Sequence, residues 1–400
     1  MSKHQITQNP NTSLIRRILS DSRSLGVLLL FCTILSLLLT NIKGIGSHYN
    51  NFWEFSIPGF HRLHLPHTLL HFINDALMTL FFFHVALEIK REATEGELST
   101  PGRMMLPAVS ALFGVALPAL IFILFAGGTE YARGWAIPTA TDIAFTLGIV
   151  SLLGKAVPHS MRVFLTALAI IDDLCAILII ALFYGSTLHL IWLLAVAVLG
   201  VILYFVNRLL QNKMGLMLTI LLSTGMWYCM YQSGIHASFS GVIAALLVPV
   251  NRLTYFETKL NLPVNFMVVP IFALANTSIV ISAASISYLG SSLSLGIILG
   301  LLIGKPVGIT LAVYLLTKLR LVRIATNVNW LQFFGIGILA GIGFTMSIFV
   351  SMLSFPDNEI LRDTAKLSVL IASALAMIIG YIWLKIISGI KQKESMHLSQ

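Results

Sequence analysis

Two adjacent carboxylates, Asp172 and Asp173, stand in the middle of the apolar run Ala167-Leu-Ala-Ile-Ile-Asp-Asp-Leu-Cys-Ala-Ile-Leu-Ile-Ile180. A charged side chain at membrane depth is costly and rare unless it lines a polar pathway, pairs, or binds a cation. Consecutive helical residues point roughly 100° apart, so the two carboxylates cannot share every partner: one can face a pathway while the other meets a second group. Their oxygens suit a hard cation such as Na+ or Li+, and they also bind protons. A site of this kind holds a metal ion or protons but never both fully, and that competition is the physical requirement for cation–proton exchange.

Other polar residues fall inside apolar stretches. Lys305, in Gly304-Lys305-Pro306, either snorkels to an interface or is held in place by tertiary structure, where a salt bridge to Asp172 would leave Asp173 free for the ion. Asp142, at the end of Gly134-Trp-Ala-Ile-Pro-Thr-Ala-Thr141-Asp142, either compensates a helix dipole or ligates the ion directly. Asp75 suits a funnel or a helix-pairing role. The cluster Glu88-Ile-Lys90-Arg91-Glu92 reads as a solvated, paired helix end or as an acidic mouth that attracts cations and senses protons. His236 could titrate at physiological pH, or serve as a hydrogen-bonded structural histidine. Glu257 stands alone in a short inner loop.

The elements that position these residues must lie in a membrane. The chain has 400 residues, of which 57% are apolar and 10% charged, with a mean hydropathy of +0.90. Such a composition excludes a soluble domain. The net charge of +9 comes from Lys and Arg scattered over short loops, which signals topology rather than nucleic-acid binding. Cys32, Cys175 and Cys229 lie in apolar runs without metal-ligand spacing and read as buried free thiols. No cofactor is indicated, and no cleavable signal is evident.

Hydrophobic windows give about 12 spans by the ~20-residue criterion: 24–42, 68–89, 103–126, 134–154, 161–184, 188–209, 214–232, 236–250, 263–284, 293–317, 330–354 and 366–388. The fold class is therefore an all-α integral membrane protein with a single domain over 1–400. Basic residues concentrate on one side, which puts both termini in the cytoplasm, with tails at 1–23 and 389–400. The segment 53–66 alternates around Pro58-Gly59 and reads as a small external β-hairpin. Such a hairpin is marginal alone and pairs either with a second copy or with its own membrane domain.

Internal symmetry appears when Ile143-Ala-Phe-Thr-Leu-Gly-Ile149 is laid on Ile342-Gly-Phe-Thr-Met-Ser-Ile348. The same offset aligns Leu106-Pro107 with Lys305-Pro306. The two triplets of spans, 103–184 and 293–388, start from opposite sides and so form inverted-topology three-helix repeats, in which matched interrupted helices point to a midplane transport site. The fourth span, with Pro138, and the eleventh, with Gly335, Gly337, Gly341 and Gly343, are the breakable pair.

Together the runs Gly134–Phe145, Ala167–Leu174, Gly304–Gly308, Gly341–Ser347, Ile73–Met78 and Leu87–Glu92 closely resemble the NhaA sodium/proton antiporters over nearly the whole chain. The resemblance implies crossed discontinuous helices 4 and 11. It further implies Asp172 and Asp173 as the cation and proton site, Lys305 paired with Asp172, and Thr141 and Asp142 at the crossing. A pH-sensing cytoplasmic region would include Glu88, Arg91, Glu92 and Glu257, with His236 and Asp75 as further funnel candidates. It implies Na+, Li+ and H+ as transported ions, dimerisation through the hairpin, and a bacterial inner-membrane location. The loop from Arg252 to Pro263 looks short, and Thr258 and Asn261 stand where the family carries ionisable residues, so a different pH profile is expected. Two rivals remain at this point. An intramembrane aspartyl protease needs facing carboxylates from separate helices and a Gly-x-Gly-Asp signature that is absent here. A passive cation channel needs acidic rings but no proton coupling.

Overall fold

A computed structural model describes residues 22–63, 65–210, 212–322 and 328–397. The expected N-terminal tail lies almost wholly outside the described residues, as do the last three positions of the C-terminal one. The apolar run of the first span closes into helix α1 (Ser22–Asn41), whose buried Thr33 and Thr40 donate to the carbonyls four residues back and so leave no unpaired hydroxyl in an apolar setting. A short helix α2 (Gly46–Trp53) follows.

Residues 53–66 do not form the expected β-hairpin. Among the described residues the segment holds a short 3-10 turn, Phe60–Leu63, and a single antiparallel bridge between Ser56 and Thr68. Pro58 offers no backbone donor to a ladder, and Gly59 takes a left-handed φ of +86°. The backbone pairing instead ties the ends of the loop together: Ile57 N–H donates to the His67 carbonyl (3.0 Å) and Leu69 N–H to that of Phe55 (3.1 Å).

The membrane helices are α3 (Leu69–Thr94), α4 (Pro101–Ala126), α6 (His159–Phe183), α7 (Leu190–Leu209), α8 (Lys213–Ser233), α10 (Val250–Asn276), α11 (Ser292–Lys318) and α14 (Glu359–His397). Between them lie a broken fourth span, a short α9 (Phe239–Leu246) and a second broken span. The fourth span is a 3-10 helix, Ala132–Thr139, then an extended break, then α5 (Ile143–Leu153). The second break separates α12 (Trp330–Ala340) from α13 (Phe344–Ser354), bent by 48°.

Ten helices among the described residues are long and apolar enough to cross a bilayer, or up to 11 when the bent pair counts as one span. The expected eighth span, 236–250, is the exception. Its helix α9 has only 8 residues, because Gly234 and the turn residues before Phe239 start it late and Pro249 stops it early. The expected inner loop at Arg252–Pro263 is also corrected: these residues are the first half of α10, which starts after Pro249 and absorbs Pro263 in a π-type turn at Val264–Val268. Glu257 is therefore a helical residue. Similar one-residue expansions occur at Ile73–Leu77 in α3 and at Gly300–Gly304 in α11. Each turn has a buried side, at Ile73 and Asn74, at Val264 and Val268, and at Gly300 and Gly304, while Met267 and Ile303 face outward.

Small residues set the close packing of α11 on α4. A Cβ on Gly304 would sit 2.8 Å from Pro118 Cα, and one on Gly308 would sit 2.4 Å from the Phe113 carbonyl oxygen. Glycine at both positions lets the backbones approach. That approach carries Lys305, which lies between them, into the interior, where it is fully buried.

Candidate functional site

The two broken spans meet at their breaks. Asp142 N–H donates to the Ile342 carbonyl (2.7 Å), Thr141 Oγ1 donates to the Ala340 carbonyl (2.7 Å), and the rings of Phe145 and Phe344 pack edge-on at 4.5 Å. Ser347 Oγ donates to the Ile137 carbonyl (2.7 Å), a contact that links the 3-10 half of one span to the helical half of the other.

Interrupted helices leave unpaired backbone donors and acceptors at the break, and the buried charges sit where those groups are. Asp142 is the N-cap of α5, accepting from Phe145 N–H at Oδ1 (3.1 Å). Its Oδ2 accepts from the first turn of α13, taking Thr345 N–H (3.0 Å) and Thr345 Oγ1 (2.5 Å). One carboxylate thus serves two helix N-termini, where the dipole favours negative charge. At the opposite polarity, the Lys305 ammonium donates to Thr141 Oγ1 (2.8 Å), which itself caps the C-terminal carbonyl of α12. The positive charge reaches that helix end through one hydroxyl.

Lys305 also donates to Asp172 Oδ2 at 2.6 Å, with both side chains only 1% exposed. The next residue does something different. Asp173 is 3% exposed, and its Oδ1 has no hydrogen-bond partner. It lines a cavity of about 420 Å³ together with Glu88, Asp142 and Thr345. The helical angle between neighbours turns Asp172 towards the ammonium and Asp173 towards this cavity.

The same cavity is lined by Glu88, His84, Asn261 and Asn265. At the end of α3, Arg91 pairs with Glu257 (2.8 Å) and Glu92 (2.9 Å), and Glu92 Oε2 accepts from Glu97 N–H (2.9 Å). Neighbouring Lys90 donates to the Leu246 and Val248 carbonyls at 2.6 and 2.5 Å, capping the C-terminus of α9. Asp75 and His236 are not brought to the cavity. They form their own cluster, with His236 Nε2 3.5 Å from Asp75 Oδ1 and Nδ1 2.8 Å from Ser238 Oγ.

Between that cluster and the cavity lies an aromatic layer. The ring of Phe349 packs against Phe82 (5.7 Å), Phe272 (6.1 Å) and His236 (5.2 Å). Phe82 falls between Asp75 and Glu88 along α3, so at a rise of about 1.5 Å per residue the layer sits roughly midway between the two polar regions.

Three cavity residues went unnoticed in the sequence, His84 and Asn265 as lining groups and Thr345 as the partner of Asp142, while Asn261 stood out only as a departure from the family and not as a lining group. His84 carried a signal, being polar within Phe81-Phe82-Phe83-His84-Val85 and one helical turn before Glu88. Thr345 lay inside the glycine-rich run but is not ionisable. The asparagines are neutral and gave no cue to a cavity. Among the described residues no group of three or more His, Cys, Asp and Glu side chains is gathered as a resident metal site would require.

The family model described as Na+/H+ antiporter 1 matches residues 16–384. The chain is 44% identical over 393 residues to Na(+)/H(+) antiporter NhaA 2 of Flavobacterium johnsoniae, covering 96% of this chain and 95% of that protein. It is 42% identical to Na(+)/H(+) antiporter NhaA of Cytophaga hutchinsonii, over 94% of this chain and 95% of the relative. The same-named protein of a Nitratiruptor strain is 43% identical, over 91% and 96%. The family consists of transporters, so the protease reading falls. With its many apolar helices and two broken spans joined around buried charge, the chain is a multi-pass membrane protein that belongs to the NhaA family of Na+/H+ antiporters.

Proposed function

We propose that the protein exports Na+ and Li+ in exchange for protons by alternating access, with Asp173 and Asp172 as the shared binding site. The observation that carries this reading is the division of labour between neighbours: Asp172 is held by Lys305, while Asp173 keeps an unpartnered oxygen and opens on the cavity. A hard cation that lost its water there would find Asp173 first, with Asp142 and the Thr345 hydroxyl lining the same cavity. Protons compete for the same oxygens. If both carboxylates cycle, about two protons exchange for one cation, net positive charge moves inward, and each charge gains ~2.3 kcal/mol per 100 mV. Membrane voltage then drives export.

The remaining features fit this scheme. The two triplets of spans act as inverted repeats that place the broken helices at mid-depth. Glu88, Arg91, Glu92 and Glu257 form a cytoplasmic mouth whose ion pairs respond to pH. Both termini lie in the cytoplasm of a bacterial inner membrane, and two copies pair through the outer loop at 53–66.

The test is dequenching of a pH dye in everted vesicles on adding Na+, Li+ or K+ over a pH series. Proton movement with Na+ and Li+, lost in Asp173→Asn while that variant melts normally, is the expected result. The variant removes an oxygen that bonds nothing in the resting fold, so stability should change by less than about 1 kcal/mol. Full exchange by Asp173→Asn removes the site, and Na+ flux with no pH response makes the protein a passive channel.

A further inference from the structure

The cavity contains a titratable side chain to which the exchange site gives no role. His84 on α3 is 5% exposed, lines the cavity with Asp173, and its Nε2 has no hydrogen-bond partner. The ring hydrogen-bonds the backbone of Glu257 on α10, which fixes the imidazole against that helix. A neutral imidazole donates from one nitrogen and accepts at the other. With the bond to the α10 carbonyl made, the ring has a lone pair directed at Nε2.

The surroundings of the ring are acidic or neutral. On its own helix Glu88 is four residues on and so shares its face, while Lys90 turns away to the α9 carbonyls. From α6 comes Asp173, and from the start of α5, Asp142. Helix α10 contributes the neutral Asn261 and Asn265, and its Glu257 carboxylate is taken by Arg91. Helix α9 carries no titratable residue, and α1 contributes only Leu25. Among the described residues no lysine or arginine lines the cavity, and the Arg91 guanidinium is engaged by Glu257 and Glu92.

We propose that His84 is a proton-binding station between Asp173 and the cavity mouth. The inference rests on the exchange reading above. Protonated Asp173 gives up its carboxyl proton, through cavity water, to the Nε2 lone pair of His84, leaving a carboxylate free for Na+ and an imidazolium. The imidazolium then releases the Nε2 proton to Glu88 or to cytoplasmic water, and the ring returns to its neutral form. One O–H bond breaks, one N–H bond forms and breaks again, and no electrons change hands. A side chain that can take up and release a proton at this place shortens the time for which Asp173 waits to be cleared.

The test uses full-length protein in liposomes, with isotopic Na+ flux as the readout and the unaltered protein in the same preparation as reference. Na+ flux by the reference that depends on an opposing pH gradient establishes exchange itself, so its failure overturns the antiport reading and not the role of His84. His84→Leu should turn over about tenfold more slowly, less than the usual loss for a positioned acid–base group because water remains as a substitute. Its KM for Na+ should not change. Added imidazole should restore turnover relative to the reference in the same buffer. His84→Gln fills the same space without carrying a proton and should be as slow as the leucine variant. Should the leucine variant fail to fold, the glutamine variant carries the same three readouts. Native turnover in His84→Gln overturns the proposal, as does a slow variant with a raised KM and no response to imidazole, which would make His84 a contact for the cation.

Discussion

Replacing Lys305 with methionine keeps the length of the four-atom aliphatic stem and removes the ammonium. The ammonium makes two short hydrogen bonds, at 2.6 Å to Asp172 and 2.8 Å to Thr141. Asp172 Oδ1 already lacks a partner, so after the substitution the buried carboxylate keeps no opposite charge. Removing one member of a buried ion pair costs about 3–5 kcal/mol, most of it the penalty of the charge left behind. The penalty should shrink as pH falls, because protonating the stranded carboxylate removes the uncompensated charge. It should also shrink when the partner is neutralised: with Asp172→Asn in the same chain, the two losses should be sub-additive by about 2–3 kcal/mol. Thermal unfolding of the detergent-solubilised protein, followed by tryptophan fluorescence for the parent, both single variants and the double variant, completes the cycle. Additive losses within about 0.5 kcal/mol, or a Lys305→Met protein that melts like its parent, refute the pairing energetics.

Two further substitutions separate structure from transport. Asp142→Asn replaces an acceptor that meets both Thr345 N–H and Thr345 Oγ1 with a group that can donate, so about 1–2 kcal/mol of stability should be lost. An unchanged melting temperature would show that the double N-cap contributes little. Arg91→Ala breaks ion pairs whose partners are partly exposed. Its stability cost should stay below about 1 kcal/mol, while the pH dependence of exchange should shift and the shift should weaken at high salt. A pH profile superimposable on the parent's would remove the cluster from regulation.

Which parts of this arrangement could be read in advance follows from how local their causes are. Asp172 and Lys305 stand out because an ionised group inside an apolar run has few bland explanations, and the Gly-Lys-Pro sequence already limits where the ammonium can go. The breaks are legible for the same reason: Pro138 and the four glycines near 340 are local facts about backbone. The pairing of Asp75 with His236 and of Arg91 with Glu257 was not legible, because each joins helices far apart in sequence through side chains that also suit solvent. Helix α10 was misread because Pro263 and a polar stretch look like a loop, whereas a π-type turn lets the helix continue through the proline. The expected hairpin failed on a register question. Its alternation is real, but Phe55 and Ile57 of the first arm pair with Leu69 and His67, beyond the end of the second arm that alternation suggested. His84 was missed because one histidine among phenylalanines reads as core until a cavity is seen beside it.

The aromatic layer of Phe82, Phe272, Phe349 and the His236 edge has a consequence for the host cell as a whole. A chain of water molecules running unbroken from one face of the bilayer to the other would let hydrogen ions hop along it without any sodium being carried. Under the exchange proposed above, the edge-on and tilted rings packed beside the acidic chamber would interrupt such a chain and keep current through the molecule tied to cargo.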